Sequence, residues 1–536
     1  MSAREPAPIE PVLVDGQWRA AQAPQGSFQA EDPARGEKIG PTFPISSAAD
    51  IEAALAAGAA TAIELATTPP ARIADFLEAY ADAIDADADA LVALAYAETA
   101  LPAETRLRKV ELPRTSGQLR QATRAVRSYS WTQPVIDTST GLRAHRAPLG
   151  KPVLVFGPNN FPYAFNAISG SDFASAIAAR NPVIAKAHPL HPATSQRLAQ
   201  RAHDALRASG LPAAAVQMLY HFDNALGLQL AGDARLGAIG FTGSRAGGLA
   251  LKAAADRAGV PMYAELSSIN PVFLLTHALA ERGTALAQEF FASCTMGSGQ
   301  FCTNPGLVMV PQGALGDAFV AAAQAHFAGD APRILFSRSG QESVLRTIAA
   351  LQSAGAQLLS GGKAGEGSGY HIESTLLATD AARFLSDPPA SQAEAFGPVS
   401  LIVRTRDASE MVAIAKVLEG NLTGTIYRAA DGSDDTAWSA IAAVLRYKVG
   451  RLIANKMPTG VAVSGAMNHG GPYPSTGHPG FTAVGMPAAI HRFSALHSYD
   501  GVPDALLPLE LRDGNPADVQ RLVDGRWSDT ALPGSA

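Results

Sequence analysis

The sequence predicts an α/β fold organised around a doubly wound parallel sheet, and three observations carry that expectation. Short β-rich runs alternate with helix-length segments from Pro152 onward, a pattern that right-handed crossovers turn into a parallel sheet. A second stretch of the same texture runs from about Leu266 to Asn455. The chain has 536 residues, well beyond the ~250–300 at which one hydrophobic core stops growing, so more than one domain is expected.

In chain order, the first stretch is rich in Pro, Gly and polar residues, and Val14-Asp15-Gly16-Gln17-Trp18 reads as a hairpin because Asp-Gly supports the tight turn. A similar Val523-Asp524-Gly525-Arg526-Trp527 near the other end is too short to count as a repeat. Between Ser47 and about Thr99 the pattern is helical: Ile73, Leu77, Tyr80 and Ile84 share one face, as a core-facing stripe requires. Residues 128–147 read as an excursion of extended chain. Strands are expected at 153–156, 182–186, 216–220 and 237–241, with helices at 193–209 and 244–258. In the second stretch helices are expected near 281–297, 316–328 and 409–419. The Gly- and Pro-rich chain from Pro458 to Gly480 carries His469, Tyr473 and His478, so it reads as ordered loop rather than linker.

Composition narrows the function. With 47% hydrophobic and 17% charged residues the usage is globular, which excludes a disordered, collagenous or coiled-coil chain. The net charge is −6, from 42 Lys+Arg against 48 Asp+Glu, with no block of like charge, so neither nucleic acid nor an anionic membrane is an expected partner. Cys294 and Cys302 are too few for a disulfide framework and lack the spacing of a zinc site. No uncharged apolar run reaches the ~18 residues of a membrane helix, and the Met1-Ser-Ala-Arg start does not read as a leader. A soluble cytoplasmic protein is the expectation.

Several stretches carry possible chemistry. Gly297-Ser-Gly-Gln-Phe-Cys302 places a thiol after a glycine-rich turn, where backbone and substrate approach closely. Cys294, in a helix-like apolar run, reads as core filler. Gly243-Ser244 and Gly248 sit where a strand ends and a helix begins, which leaves N–H groups facing an anion, although such turns are also common punctuation. Taken singly, Asn160 before Phe-Pro reads as a turn residue and Glu265 or Glu394 as a solvated charge. No Walker A, G-x-S-x-G or H-E-x-x-H sequence occurs.

Taken together, Asn160-Phe-Pro, Phe241-Thr-Gly-Ser, Glu265-Leu-x-x-x-Asn-Pro, Gly299-Gln-x-Cys302 and Glu394-x-Phe-Gly-Pro resemble the signatures of the aldehyde dehydrogenase superfamily, in its order and over nearly the whole chain. The wording is most similar to the branch of NADP-preferring 2-oxoglutarate semialdehyde (2,5-dioxopentanoate) dehydrogenases and bacterial fatty aldehyde dehydrogenases.

The resemblance implies a Rossmann-like cofactor domain over 1–127 and 148–265, a catalytic domain over 266–456, and a β oligomerisation arm from 128–147 with C-terminal chain 457–536, in a homodimer or homotetramer. It implies that Cys302 attacks an aldehyde, that Asn160 holds the oxyanion, and that Glu265 activates the hydrolytic water. Glu394, with Phe396 in the same motif, would hold the nicotinamide ribose, and Gly243, Ser244 and Gly248 the pyrophosphate. His469 either assists proton transfer or stabilises its turn. No metal is expected; His188-x-x-His191 lacks a third ligand.

The chain departs from the family pattern in two places. The usual Lys-Pro-x-Glu after the second strand is Lys186-Ala-His188-Pro189 here, so the ribose carboxylate is gone while Lys186, helped by His188, keeps a cation. That favours NADP, with NAD possible. Ser267-Ser268-Ile269 replaces the common Gly-Gly-Lys. Two alternatives stand beside this reading: acyl transfer to coenzyme A, which Glu265 argues against, and a non-catalytic binding protein on the same fold.

Overall fold

The computed structural model describes residues 8–532. Its first sheet has seven strands in the order Met262–Glu265, Ala238–Thr242, Val153–Phe156, Val183–Lys186, Val216–Leu219, Val12–Val14 and Gln17–Arg19. The first five pair in parallel and the N-terminal hairpin closes the edge antiparallel. From Val153–Phe156 the chain winds outward on one side, then returns to lay Ala238–Thr242 on the other. The strand order therefore reverses between these two, and a crevice opens beyond their carboxyl ends.

Of the four expected strands, Val153–Phe156 falls at the expected residues, Val183–Lys186 and Val216–Leu219 are each one residue shorter at an end, and Ala238–Thr242 is displaced by one residue. The hairpin turn places Asp15 at φ 51° and Gly16 at φ 67°, the left-handed pair an Asp-Gly turn supplies. Pro192 starts the helix Pro192–Ser209 and Gly210 ends it at φ 61°, which follows the proline-first, glycine-last asymmetry of helices. Ile73, Leu77, Tyr80 and Ile84 are fully buried in the core behind the sheet.

The helical region runs past Thr99, as a wide π-helical stretch Ala103–Glu111 continuing into Leu112–Arg127. Pro113, which has no N–H to donate, falls at this junction, where the hydrogen-bonding register changes from π to α. A second seven-stranded sheet runs Gln357–Ser360, Thr375–Asp380, Val399–Thr405, Leu307–Pro311, Val272–Leu274, Asn421–Tyr427 and Val449–Ala454. Helices Thr276–Thr295, Ala314–Ala328 and Ala408–Val417 occupy the expected stretches, the first starting earlier across a break at Gly283. Arg338–Ser353 and Asp435–Leu445 add two more.

The extended excursion forms Val135–Asp137 and Leu142–Pro148, which join Ser494–Asp500, Arg521–Val523 and Arg526–Ser528 in a separate five-stranded sheet. Residues 458–487 contain no helix or strand beyond a single bridge, Thr476 to Glu265. Hydrogen bonds tie this loop to both large sheets: Leu266 N–H donates to Ser475 O at 2.8 Å, and Asn468 Nδ2 donates to Gly450 O at 3.1 Å. No described helix is long and apolar enough to cross a membrane.

Candidate active site

Three loops meet at the crevice. Beyond Val153–Phe156 lies the turn carrying Asn160; beyond Ala238–Thr242 lie Gly243 and Ser244; from the chain leading into the second large sheet comes the turn carrying Cys302. That last turn needs glycine. Gly297 and Gly299 sit at φ 55° and 69°, and a Cβ on Gly299 would lie 2.2 Å from the backbone of Gly397. The Cys302 turn and the Glu394-x-Phe-Gly-Pro segment therefore touch backbone to backbone. Asn304 Nδ2 adds a hydrogen bond to Gly397 O at 3.0 Å.

Asn270 fixes the same turn from the other side. Its Nδ2 donates to the carbonyls of Cys302 and Asn304, both at 2.9 Å, while its Oδ1 accepts from Thr423 and Ser268 hydroxyls, also at 2.9 Å. Ser268 Oγ also accepts from Leu422 N–H at 3.0 Å. The serine pair that replaces the common glycine pair thus has structural work, since Ser267 faces Glu394 in the cleft.

Cys302 Sγ lies 3.4 Å from His469 Nε2, and the same nitrogen lies 2.9 Å from Glu265 Oε1. Sγ, Nε2 and a Glu265 oxygen all fall within 4.8 Å of one another. His469 and Glu265 are 2% and 3% exposed, so the carboxylate is desolvated. A carboxylate only accepts, which places a proton on Nε2 facing Glu265. Glu265 Oε2 is buried and has no partner, an acceptor left open toward the thiol. Burial chiefly, and then the Glu265 charge, push the Cys302 thiol well above its ordinary range, so it rests protonated. Asn160 is buried and one amide hydrogen bonds Gln300 O at 2.9 Å, which orients the side chain and leaves the other free.

Asn160, Glu265, Cys302, Glu394 and Phe396 line one part of the cleft, about 410 Å³. Gly243, Ser244 and His188 line that part and also its continuation, about 640 Å³, where Lys186 lies. Burial lifts the Glu394 carboxyl to about 7, although Ser267 and Ser268 hydrogen bonds oppose the shift. Burial draws Lys186 down to about 8. His188 is pushed well below its usual range, by burial first and then by His191, Lys186 and His221.

Ser244 caps the helix Arg245–Arg257, accepting from Gly247 N–H at 3.3 Å. It is Gly247, rather than Gly248, that borders the cleft. Gly248 is buried behind it, where a Cβ would come 2.3 Å from Leu266. The cleft suits a dinucleotide: a helix N-terminus with exposed N–H groups, an unpaired cation deeper in, and a carboxylate at the far end.

Several residues of this site escape a reading of the sequence. His191 is fully buried and donates from Nε2 to Pro158 O at 3.1 Å, bracing the Asn160 turn. His221 follows Val216–Leu219 and joins Lys186 and His188 in the cleft lining; a polar residue just past a strand's carboxyl end is the signal that could have found it. Gln300 and Asn270 stand inside the quoted motifs, but only their contacts give them roles.

The profile of the Aldehyde dehydrogenase family matches residues 18–497. Alpha-ketoglutaric semialdehyde dehydrogenase 2 of Azospirillum brasilense is 40% identical over 94% of this chain and 96% of its own length. Alpha-ketoglutaric semialdehyde dehydrogenase of Acinetobacter baylyi is 35% identical over 96% of this chain and 98% of its own. Among solved structures, aldehyde dehydrogenase C from Pseudomonas syringae, complexed with NAD+ and octanal, superposes with a TM-score of 0.78 at 21% identity, covering 95% of this chain and all of that one.

Proposed function

The chain belongs to the aldehyde dehydrogenase family and is an NAD(P)-dependent oxidoreductase of aldehydes; on that premise we propose that it oxidises 2-oxoglutarate semialdehyde (2,5-dioxopentanoate), or a closely related aldehyde, to the acid, with NADP preferred over NAD. The observation that carries the chemistry is the convergence of Cys302 Sγ, His469 Nε2 and Glu265 within 4.8 Å at the inner end of the cleft. The substrate assignment rests on the two near full-length relatives and on the basic residue discussed below.

Because the thiol rests protonated, its attack needs a base. The open Glu265 Oε2 takes the thiol proton as Sγ bonds to the aldehyde carbon, and the Nε2–H of His469 steadies the carboxylate through that transfer. The new oxyanion is met by the free Asn160 amide hydrogen and the Cys302 backbone N–H, a contribution of ~2.7–4 kcal/mol per preorganised donor. Bound NAD(P)+ supplies the hydride acceptor. Loss of hydride from the hemithioacetal carbon would leave a thioester on Cys302; Glu265, having passed the thiol proton to solvent, then deprotonates the water that cleaves the thioester and returns that proton to the departing Cys302 sulfur as the acid is released. Glu394 holds the ribose beside the thiol, while Ser244 and the helix behind it face the pyrophosphate. Lys186, without an ion pair among the described residues, favours a 2′-phosphate, since Asp223 on the same lining is engaged in capping the helix Asn224–Ala231. The separate five-stranded sheet is the proposed oligomerisation arm.

A panel of aldehydes assayed with each cofactor, read by reduced-nicotinamide absorbance, tests this assignment. The highest kcat/KM is expected for 2,5-dioxopentanoate with NADP; a neutral aldehyde as the best substrate would reject the substrate assignment.

A further inference from the structure

We propose that Arg114 holds the carboxylate of an acidic aldehyde at the entrance to Cys302 and is the residue that sets this enzyme's preference for acidic over neutral substrates. The inference rests on the dehydrogenase reading above. Arg114 sits on the helix Leu112–Arg127, with its guanidinium 5.3 Å from the Phe161 ring centre and 5.0 Å from that of Phe165. The Phe165 ring lies 5.7 Å from the His469 ring, and His469 contacts the thiol. Phe161 and Phe165 belong to a small apolar cluster with Phe301 and Val484, and neither ring lines the cofactor cleft. The wall is thus aromatic and apolar on the side of the thiol left to the substrate, with two guanidiniums against its rings, Arg106 over Phe161 and Phe301 and Arg114 over Phe161 and Phe165.

Arg114 combines burial with the lack of an anion, whereas Arg124 on the same helix, also without an ion pair among the described residues, is exposed to solvent. Arg106 pairs with Glu111 at 2.5 Å, Arg108 with Glu104 and Asp89, Arg120 with three acidic residues, and Arg127 with Asp75. Arg451, from the second sheet, spends its guanidinium on the carbonyls of Pro458 and Gly460. Arg114 has a 3.4 Å bond from Nε to Gln118, a buried Nη2 with no partner, and no ion pair among the described residues. Burial lowers its pKa to about 10, so it remains charged at neutral pH; the charges of Glu111 and Arg106, and then of Cys302 and Glu265, also act on it.

A desolvated guanidinium without a counter-ion is an unfavourable arrangement that an incoming carboxylate relieves, through charge-assisted bonds from its planar fork. A neutral aldehyde tail would leave it unrelieved. The stacking on Phe161 and Phe165 holds the fork in place without using its outer N–H groups.

The test compares 5-oxopentanoate with pentanal, matched in length and differing in the carboxylate, for wild type, Arg114→Met and Arg114→Lys. Wild type should prefer 5-oxopentanoate in kcat/KM. Arg114→Met should reduce that preference about tenfold to a hundredfold, mainly through KM, the factor of a ~1.5–3 kcal/mol charge-assisted contact, and Arg114→Lys should restore part of it. A wild type without the preference, or an equal loss for both aldehydes in Arg114→Met, overturns the assignment of Arg114. Failure of the wild type to oxidise either aldehyde would instead overturn the dehydrogenase reading beneath it.

Discussion

The two ends of the cleft are unbalanced in opposite senses. At the Lys186 end a cation and two histidines gather with no ion pair to Lys186 among the described residues, and the nearby Asp223 is engaged as a helix cap. At the Cys302 end two carboxyl groups, Glu265 and Glu394, crowd a thiol. Burial, chiefly, lowers the proton affinity of Lys186 at the first end and raises that of Glu394 at the second, where the Glu265 charge adds to it. Each imbalance is costly in the empty protein and is reduced when a ligand of the opposite charge binds: phosphate at one end, the positively charged oxidised nicotinamide at the other. Polarity along the cleft therefore orients a dinucleotide before any single hydrogen bond does.

The largest expected effect falls at the thiol end. Cys302→Ala should cost ~10⁴ or more in aldehyde oxidation while fluorescence titration still shows cofactor binding, because the two ends act separately on the ligand. Cys294 is fully buried in the apolar cluster beside the second large sheet, and Cys294→Ala should keep most activity. Substantial turnover by Cys302→Ala would break the comparison at its root.

Next in size, Glu265→Gln keeps an acceptor for the His469 Nε2–H but removes the base. Thioester cleavage should slow by ~10²–10⁴, with an acyl-enzyme on Cys302 visible by mass spectrometry in steady state. Free Cys302 under those conditions would remove Glu265 from this step. In the same series His469→Asn should alter the pH–rate profile; an unchanged profile leaves His469 a turn-stabilising residue.

The smallest effect belongs to the other end. The NADP:NAD ratio of kcat/KM should fall as pH rises through about 8, because only protonated Lys186 can pair with a 2′-phosphate and burial has brought its pKa down to that value. Below that pH the preference is fully present. Pro189→Glu should move the ratio toward NAD by about tenfold to a hundredfold, by repelling the phosphate and bonding the ribose hydroxyls. A ratio that is flat across this range would assign cofactor choice to groups other than Lys186.

The parallel sheet was legible in the sequence because Val153–Phe156 and its neighbours are short apolar runs bounded by Gly, Pro and Asn, and local pattern decides such strands. The helix Leu112–Arg127 was not, because Pro113, Gly117 and four arginines hide its apolar stripe. Cys302, Glu265 and Asn160 were legible as motifs. The partnership of Cys302 with His469 was not, since 167 residues separate them and only tertiary packing brings a Gly-rich loop beneath the thiol. Arg114 carried no signal at all: it is one arginine among several on a basic segment, and its distinction is an ion pair it lacks.

The loop 458–487 has a consequence for how this protein is made. It holds the last strand of the first sheet through Leu266 and Glu265, and it supplies the histidine behind the thiol. Synthesis runs from the N-terminus, with domains folding as they emerge. The 167 residues between Cys302 and His469 represent about a third of the chain, and during their translation the nucleophile exists without its enclosing wall. A nascent chain should therefore carry a thiol open to oxidants and alkylating agents until the ribosome has nearly finished, and arrested chains ending before residue 458 should label at Cys302 faster than the completed protein.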